Sequence, residues 1–341
     1  KHMAMTEQAG GNGTVADVST EYVDITLDKW REVKFGLTDK ELAYTGERII
    51  QDHISPAVYA LANYVDTQMT ALYKYIPWST NLGSTVAYSD YLATRKILRD
   101  VGGTLIDMGD VHFAIDSTLE AGYLGLNLFN DASTGAGTEG LIRGSLGMRA
   151  GVQPFVNQNL PSHTGGTVLS AGTDAVGALN ANGAKGDTTV SIDGLSLVET
   201  IKAGDSFVIA GHTQRYVVTS DITLSSGAHA TVPIYPALVK AYAENDVVTF
   251  EAQSSSVHSA SYYANIMFHR NAFCLAFAPL PEIGDGAGAR MSVVTDPRTG
   301  MSVRSRLAYD DTYAKVVVTL DILFGCRCLD PNMAVIARRD K

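Results

Sequence analysis

Charge is scarce in this chain. Asp, Glu, Lys and Arg make up only 18% of its 341 residues. A surface so poor in charge is expected where neighbouring molecules cover much of it, and a large monomer can also show it. Basic tails and stripes are missing too. The formal charge is −10, and there is no run of Lys and Arg of the kind that grips nucleic acid. Cysteine is limited to Cys274, Cys326 and Cys328, an odd, sparse set that suits a reducing compartment and excludes a disulfide framework. Cys326 and Cys328 would share one side of a strand. No further ligand stands at zinc spacing, so the expectation is buried thiols and no metal site. No apolar run reaches 18 residues and no signal-peptide pattern is visible, so no membrane contact is expected.

Catalytic signatures are equally thin. Gly144-Ser145-Leu146-Gly147 lacks the single-residue spacing of a nucleophile elbow. There is no two-histidine zinc motif and no phosphate-cradling Walker loop. Gly284, Gly286 and Gly288 alternate, but they precede a strand pattern and read as a flexible loop. His269 beside Arg270 lies among Phe268 and Phe273, which favours a packed core histidine over a base. Asp310 and Asp311 would face opposite ways on a strand and read as a solvated turn. The expectation is therefore no enzyme, with no catalytic residue, cofactor or metal ligand to nominate.

What is present is apolar mass and β texture. Apolar residues make up 45% of the chain, and there are 32 glycines, so a packed core with many turns is expected. Residues 1–20 are polar and read as an N-terminal arm. Val23, Ile25 and Leu27 alternate with polar residues, and after Asp28 and Lys29 so do Val33, Phe35 and Leu37. This predicts a two-stranded hairpin over Glu21–Leu37, within a loop unit spanning 21–46. A lone hairpin is marginal in water and needs something to lie on. Its side chains, with Trp30 and Arg31 at the turn, are the candidate contact residues. Trp78 fits a contact or the core equally.

A helical pattern follows from Glu47 to Ile76, roughly 45 Å long at 1.5 Å per residue. Pro56 should kink it or start its main part, and Pro77 should stop it. A second helix is predicted over Ser89–Val101, capped by Ser89 and stopped by Gly102-Gly103. A short strand is expected over His112–Ile115, a helix near Ser117–Leu124, and a strand pair or bent strand over Leu146–Val156. Residues 162–252 carry nine acids and four bases and read as short strands, clearest at Thr189–Ile192, Ser206–Ile209, Arg215–Thr219 and Val247–Phe250. They predict a small β-barrel or sandwich inserted in an α+β body made of 47–161 and 253–341. Helical patterning resumes weakly over Ala260–Phe277. A hairpin of Met291–Thr295 and Ser302–Ala308 and a long strand, Tyr313–Cys326, close the chain. No internal repeat is evident. Residues 290–341 carry nine bases and six acids, a mild preference for an acidic neighbour.

Several blocks together resemble a known family. Gly144-Ser145-Leu146-Gly147-Met148-Arg149-Ala150-Gly151, continuing through Asn157-Gln158-Asn159-Leu160-Pro161-Ser162-His163-Thr164-Gly165-Gly166-Thr167, is similar to the stretch before the inserted domain of coat proteins of the Salmonella short-tailed phage type. Ala203-Gly204-Asp205-Ser206-Phe207-Val208-Ile209-Ala210-Gly211 resembles the middle of that domain. Phe268-His269-Arg270-Asn271-Ala272-Phe273 with Ala278-Pro279-Leu280 looks like the return to the body. Asp321-Ile322-Leu323-Phe324-Gly325 and Leu329-Asp330-Pro331 resemble the closing strand. The order spans residues 21 to 339. Met148 intervenes before Arg149, and the N-terminal arm is short, as departures from the family pattern.

The resemblance implies the Johnson fold, with a protruding two-stranded loop at Glu21–Leu37, a spine helix at Glu47–Ile76, and a central domain from 253–290 and parts of 104–160. It implies a major capsid protein of a tailed bacteriophage. That protein would self-assemble in the host cytoplasm into pentamers and hexamers of an icosahedral virion shell around double-stranded DNA, with procapsid maturation. Scaffolding protein and portal would be assembly partners, and a decoration protein a possible further one. On this reading Val23, Ile25, Leu27, Trp30, Arg31, Val33, Phe35 and Leu37 are inter-subunit contacts. An encapsulin-like storage shell and a β-rich surface adhesin are the alternatives.

Overall fold

A computed structural model describes residues 23–45, 50–82, 85–103, 108–126, 143–168, 175–195, 200–224, 230–250, 261–282 and 289–340. The proposed arm at 1–20, the first residues of the predicted spine (Glu47–Ile49) and the glycine-rich run at Gly284–Gly288 lie outside the described residues. The first part of the chain forms β1 (Lys29–Thr38), α1 (Asp39–Thr45), α2 (Ser55–Thr70), β2 (Ser79–Asn81), α3 (Tyr88–Gly102), β3 (Val111–Ile115), α4 (Ser117–Leu124), β4 (Val152–Val156) and β5 (Ser162–Thr164). Next come β6 (Ala175–Leu179), β7 (Thr189–Asp193), β8 (Thr200–Ile201), β9 (Ser206–Ile209), β10 (Arg215–Val218), β11 (Ile222–Thr223), β12 (Ala230–Tyr235) and β13 (Val247–Phe250). The chain closes with β14 (Ser261–His269), β15 (Phe273–Phe277), β16 (Ala289–Thr295), β17 (Ser302–Asp310), β18 (Lys315–Cys328) and β19 (Ala334–Asp340).

Five strands form one antiparallel sheet in the order β1-β18-β17-β16, with β15 beside the far end of β18. Alternation in β18 sends Val318, Leu320, Ile322 and Phe324 to one face, where Leu320, Ile322 and Phe324 pack against Ala57, Leu61 and Val65 of α2. That four-residue spacing puts the three α2 residues on one stripe. Pro56 sits in the first turn of α2 and starts the regular helix after a π-helical turn over Ile50–Ile54. Proline is tolerated in a first helical turn, where its fixed φ is already helical. The helix tightens to 3₁₀ over Ala71–Tyr75, and Ile76, ahead of Pro77, is extended, as steric clash with the proline ring requires.

The predicted hairpin at Glu21–Leu37 is not formed. Val23–Asp28 carry no strand, and β1 pairs instead with β18 of its own chain, from Lys29 opposite Phe324 to Thr38 opposite Lys315. Asp28-Lys29 supplies neither glycine nor asparagine for a tight reversal. Val33, Phe35 and Leu37 find their apolar partners opposite, on Leu320, Val318 and Val316.

A second sheet runs β2-β19-β14-β3-β4, with β5 also on β14. α3 and α4 cover one of its faces through Tyr91, Leu98, Leu119 and Tyr123. Ser89 is not the cap of α3. Ala87 holds that position without a side-chain bond, and Ser89 lies in the first turn. Gly103, with φ +62°, ends the helix in a conformation costly for any other residue. Asp116 caps α4, its Oδ2 accepting from the backbone N–H of Thr118 (3.0 Å) and Leu119 (3.3 Å). The weak helical pattern at Ala260–Phe277 is in fact β14 and β15. β14 is paired on both edges and buried on both faces, so its residues run apolar without the alternation that marks a half-exposed strand.

Six strands close into a barrel in the order β10-β12-β7-β6-β13-β9. The barrel has its own core, centred on Phe207, Tyr216, Phe250, Ile192 and Val232. The boundary expected at residue 162 falls too early, since Ser162–Thr164 pair with β14 in the body. An internal repeat is also present. Ala184–Asp187, Lys202–Asp205 and Ala243–Asp246 make the same turn, each leading into a strand. In each, the backbone N–H of the first residue donates to the Asp carboxylate, at 2.7, 2.7 and 2.9 Å. The Asp N–H returns to the first carbonyl, at 3.2, 3.0 and 3.2 Å. The residue before each Asp has positive φ: Gly186, Gly204 and Asn245, the residue types that tolerate it.

Candidate functional site: the exposed sheet and the barrel mount

β1 divides its residues between two faces. Val33 and Phe35 are half-buried against α2 and β18, and Leu37 is buried. Arg31 leans the same way, its Nε donating to the Tyr64 hydroxyl at 3.0 Å with the guanidinium over the ring. Trp30 and Glu32 point to the other face. Trp30 is 56% exposed, and its Nε1 donates to Asp321 Oδ2 at 3.3 Å. Of the residues before the strand, Val23 and Leu27 are exposed and Ile25 is half-buried. Among the described residues no strand pairs with the outer edge of β1.

Beneath Trp30 lies a charge network. Asp321 is fully buried and takes a bidentate bond from Arg304, Nε to Oδ1 at 3.1 Å and Nη2 to Oδ2 at 2.6 Å. Arg304 Nη1 also reaches the Pro281 carbonyl at 3.0 Å. Arg306 bonds Glu32 at 2.7 Å and approaches Asp321 at 3.5 Å. Parallel forks of this kind are geometrically demanding and hold their strands in one register. On the opposite face, beyond the reach of α2, Val294, Leu307 and Tyr309 are exposed.

A second constellation joins barrel to body. His163 of β5 is buried, its Nε2 3.0 Å from Asp205 Oδ1 and its Nδ1 3.0 Å from the Tyr73 hydroxyl. Asp205 Oδ2 accepts from the backbone N–H groups of Gly166 (3.1 Å) and Lys202 (2.7 Å). With the carboxylate accepting from Nε2, Nδ1 is left to accept from Tyr73. The order hydroxyl–imidazole–carboxylate matches that of a nucleophile relay. Here, however, Asp205 has no exposed surface, and burial pushes the Tyr73 hydroxyl well above its ordinary pKa. The group is a structural contact. Sequence reasoning missed it, although the Lys202-Ala203-Gly204-Asp205 turn has two counterparts in the chain.

The remaining chemistry is quiet. Cys274, Cys326 and Cys328 are free thiols. Burial pushes Cys328 up to about 12, far from the thiolate a reactive cysteine needs. His269 is buried, its Nδ1 accepting from the Asn271 N–H at 3.3 Å. Among the described residues no cluster of three or more His, Cys, Asp or Glu could hold a metal, and no helix is long and apolar enough to cross a membrane. An apolar groove of about 390 Å³ lies between the end of α2 and strands β3, β14 and β15, lined by Met69, Phe155, Ile266, Phe268, Phe273 and Leu275.

No protein-family model and no curated protein matches the chain. Among solved structures, the capsid of cyanophage P-SCSP1u is 12% identical at a TM-score of 0.48, covering 100% of this chain and 81% of its own. A structure from Mycobacterium phage Che8 is 12% identical at 0.46, covering 98% and 81%. The mature capsid of bacteriophage PhiM1 is 10% identical at 0.43, covering 98% and 79%. At TM-scores below 0.5 the likeness is too loose to establish a shared fold.

Proposed function

We propose that this chain is a coat subunit that assembles with copies of itself into the shell of a tailed phage. The observation that carries this reading is the set of large apolar side chains left exposed on both faces of the five-stranded sheet and on its flanking helix. Trp30 (56% exposed), Val294 (68%), Leu307 (42%), Tyr309 (56%) and Tyr59 of α2 (73%) all lie on that unit. Trp30 lies on one face of the sheet and Val294, Leu307 and Tyr309 on the other, so partners would be met on both faces. The ordered motif blocks, which resemble those of the Salmonella short-tailed phage type, support the same partner: another copy.

Within this reading Val23, Leu27 and Trp30 face a neighbour. Val33, Phe35 and Leu37 are committed to their own chain, and Arg31 is held by Tyr64. Pentamers and hexamers, an icosahedral virion shell with packaged double-stranded DNA, and a scaffolding protein, portal and decoration protein follow from the resemblance. Each contact would contribute roughly 25 cal/mol per Å² of apolar surface before entropic losses, so contacts individually weak would hold once a shell closes. Light scattering across a concentration series, with negative-stain microscopy with and without a scaffolding partner, tests the reading. Closed particles above a threshold concentration are expected. A saturating dimer or tetramer with nothing larger would overturn it.

A further inference from the structure

We infer that a polar dock with His163–Asp205 as its latch holds the barrel on the body, and that breaking the latch releases the barrel without unfolding either part. Four observations carry this. First, the apolar core of the barrel and those of the body are distinct clusters of buried side chains. Second, hydrogen bonds and an aromatic pair join the two. Arg338 Nη2 donates to Ser206 Oγ at 3.0 Å, Arg215 Nη1 to the Ser79 carbonyl at 3.3 Å, and Tyr75 meets Tyr235 edge-on at 5.5 Å. Third, the turn that reaches deepest is one of three alike. Asp187 and Asp246 spend their carboxylates on their own turns. Asp205 closes its turn in the same way and in addition reaches His163 of the body and Gly166 of the connecting segment. Fourth, the fit is close. A Cβ on Gly204 would stand 2.9 Å from His163 Cε1 and 3.1 Å from its Nδ1.

A joint of this kind differs physically from a shared apolar core. Buried polar pairs fix geometry strongly but add little net stability, because desolvation offsets their attraction. Interfaces between parts of one chain that lack a large apolar contact permit relative motion. Two strands of chain still tether an undocked barrel, so release is reversible.

The test is side-chain footprinting by hydroxyl radicals, read by mass spectrometry on the full chain. Tyr73 and Tyr262 belong to the body cluster that meets the dock, and both contact His163, whereas Tyr216 lies in the barrel core and Tyr91 in a separate body cluster. In Asp205→Asn, oxidation of Tyr73 and Tyr262 should rise at least tenfold while Tyr216 and Tyr91 stay protected. His163→Phe, which leaves the Asp205 turn intact, should do the same. Asp187→Asn, in a sibling turn outside the dock, should leave Tyr73 and Tyr262 unchanged. The inference fails if Tyr216 becomes reactive together with Tyr73, if neither dock tyrosine responds, or if Asp187→Asn reproduces the effect.

Discussion

The barrel and the five-stranded sheet are both β structures of similar strand number, yet they are assembled in opposite ways. Every barrel strand lies between Ala175 and Phe250, and its core is drawn from the same stretch with Val168 just before it. The sheet joins β1, near one end of the described chain, to β18, near the other. Closing so long a loop costs entropy that only the finished contacts repay. The barrel can therefore form from neighbouring residues alone, whereas the sheet depends on the rest of the body being in place. The two regions also differ in what fixes them. The barrel rests on apolar packing, while the outward face of the sheet is pinned by a buried charge fork.

Two mirror variants should produce the largest effects and separate the two regions. Asp321→Ala leaves Arg304 buried without its partner, which typically costs about 3–5 kcal/mol. Phe250→Ala empties a fully buried site in the barrel, also worth about 3–5 kcal/mol. Denaturant unfolding followed by residue-resolved hydrogen exchange should show the first variant loosening β17 and β18 with β7 and β13 still protected, and the second the reverse. A single shared transition shifted equally by both would break the comparison. A smaller effect is expected from Asp116→Ala, which removes the α4 cap. About 1 kcal/mol should be lost, confined to the body, with barrel amides unchanged in the same exchange experiment.

Legibility in the sequence followed the same divide. The barrel strands at Thr189, Ser206, Arg215 and Val247 could be read directly, because each alternates against a core built from its own neighbourhood. The hairpin over Asp296–Gly300 was equally plain. Gly300 has φ +71°, and the Asp296 carboxylate accepts from Arg298 and Thr299. Non-local pairing was hidden. The alternation of Val33, Phe35 and Leu37 was visible, but nothing near it in sequence named β18 as the partner, so a local hairpin was the natural inference. β14 shows no strand period because burial on both faces erases it. The repeated turns carry little signal because they share only an aspartate preceded by glycine or asparagine. The dock built on one of them therefore had no signal that stood out from ordinary turn chemistry.

The smallest stability effect and the sharpest functional one should coincide at Trp30. Its ring is more than half exposed and its Nε1 makes one bond to Asp321. Asp321 retains both bonds from Arg304 when that partner is lost. Trp30→Ala should thus cost about 0.5 kcal/mol, the low end of the net worth of one hydrogen bond, and leave far-UV circular dichroism and the unfolding midpoint nearly unchanged. If the exposed ring is an anchor for a second copy, assembly should suffer far more, because truncating a buried interface tryptophan commonly costs 2 kcal/mol or more at each contact, roughly thirtyfold in affinity. The threshold for particle formation in light scattering should then rise by at least tenfold. An unfolded Trp30→Ala subunit would instead assign the ring to the fold of its own sheet, and an unmoved threshold would remove Trp30 from the proposed contact.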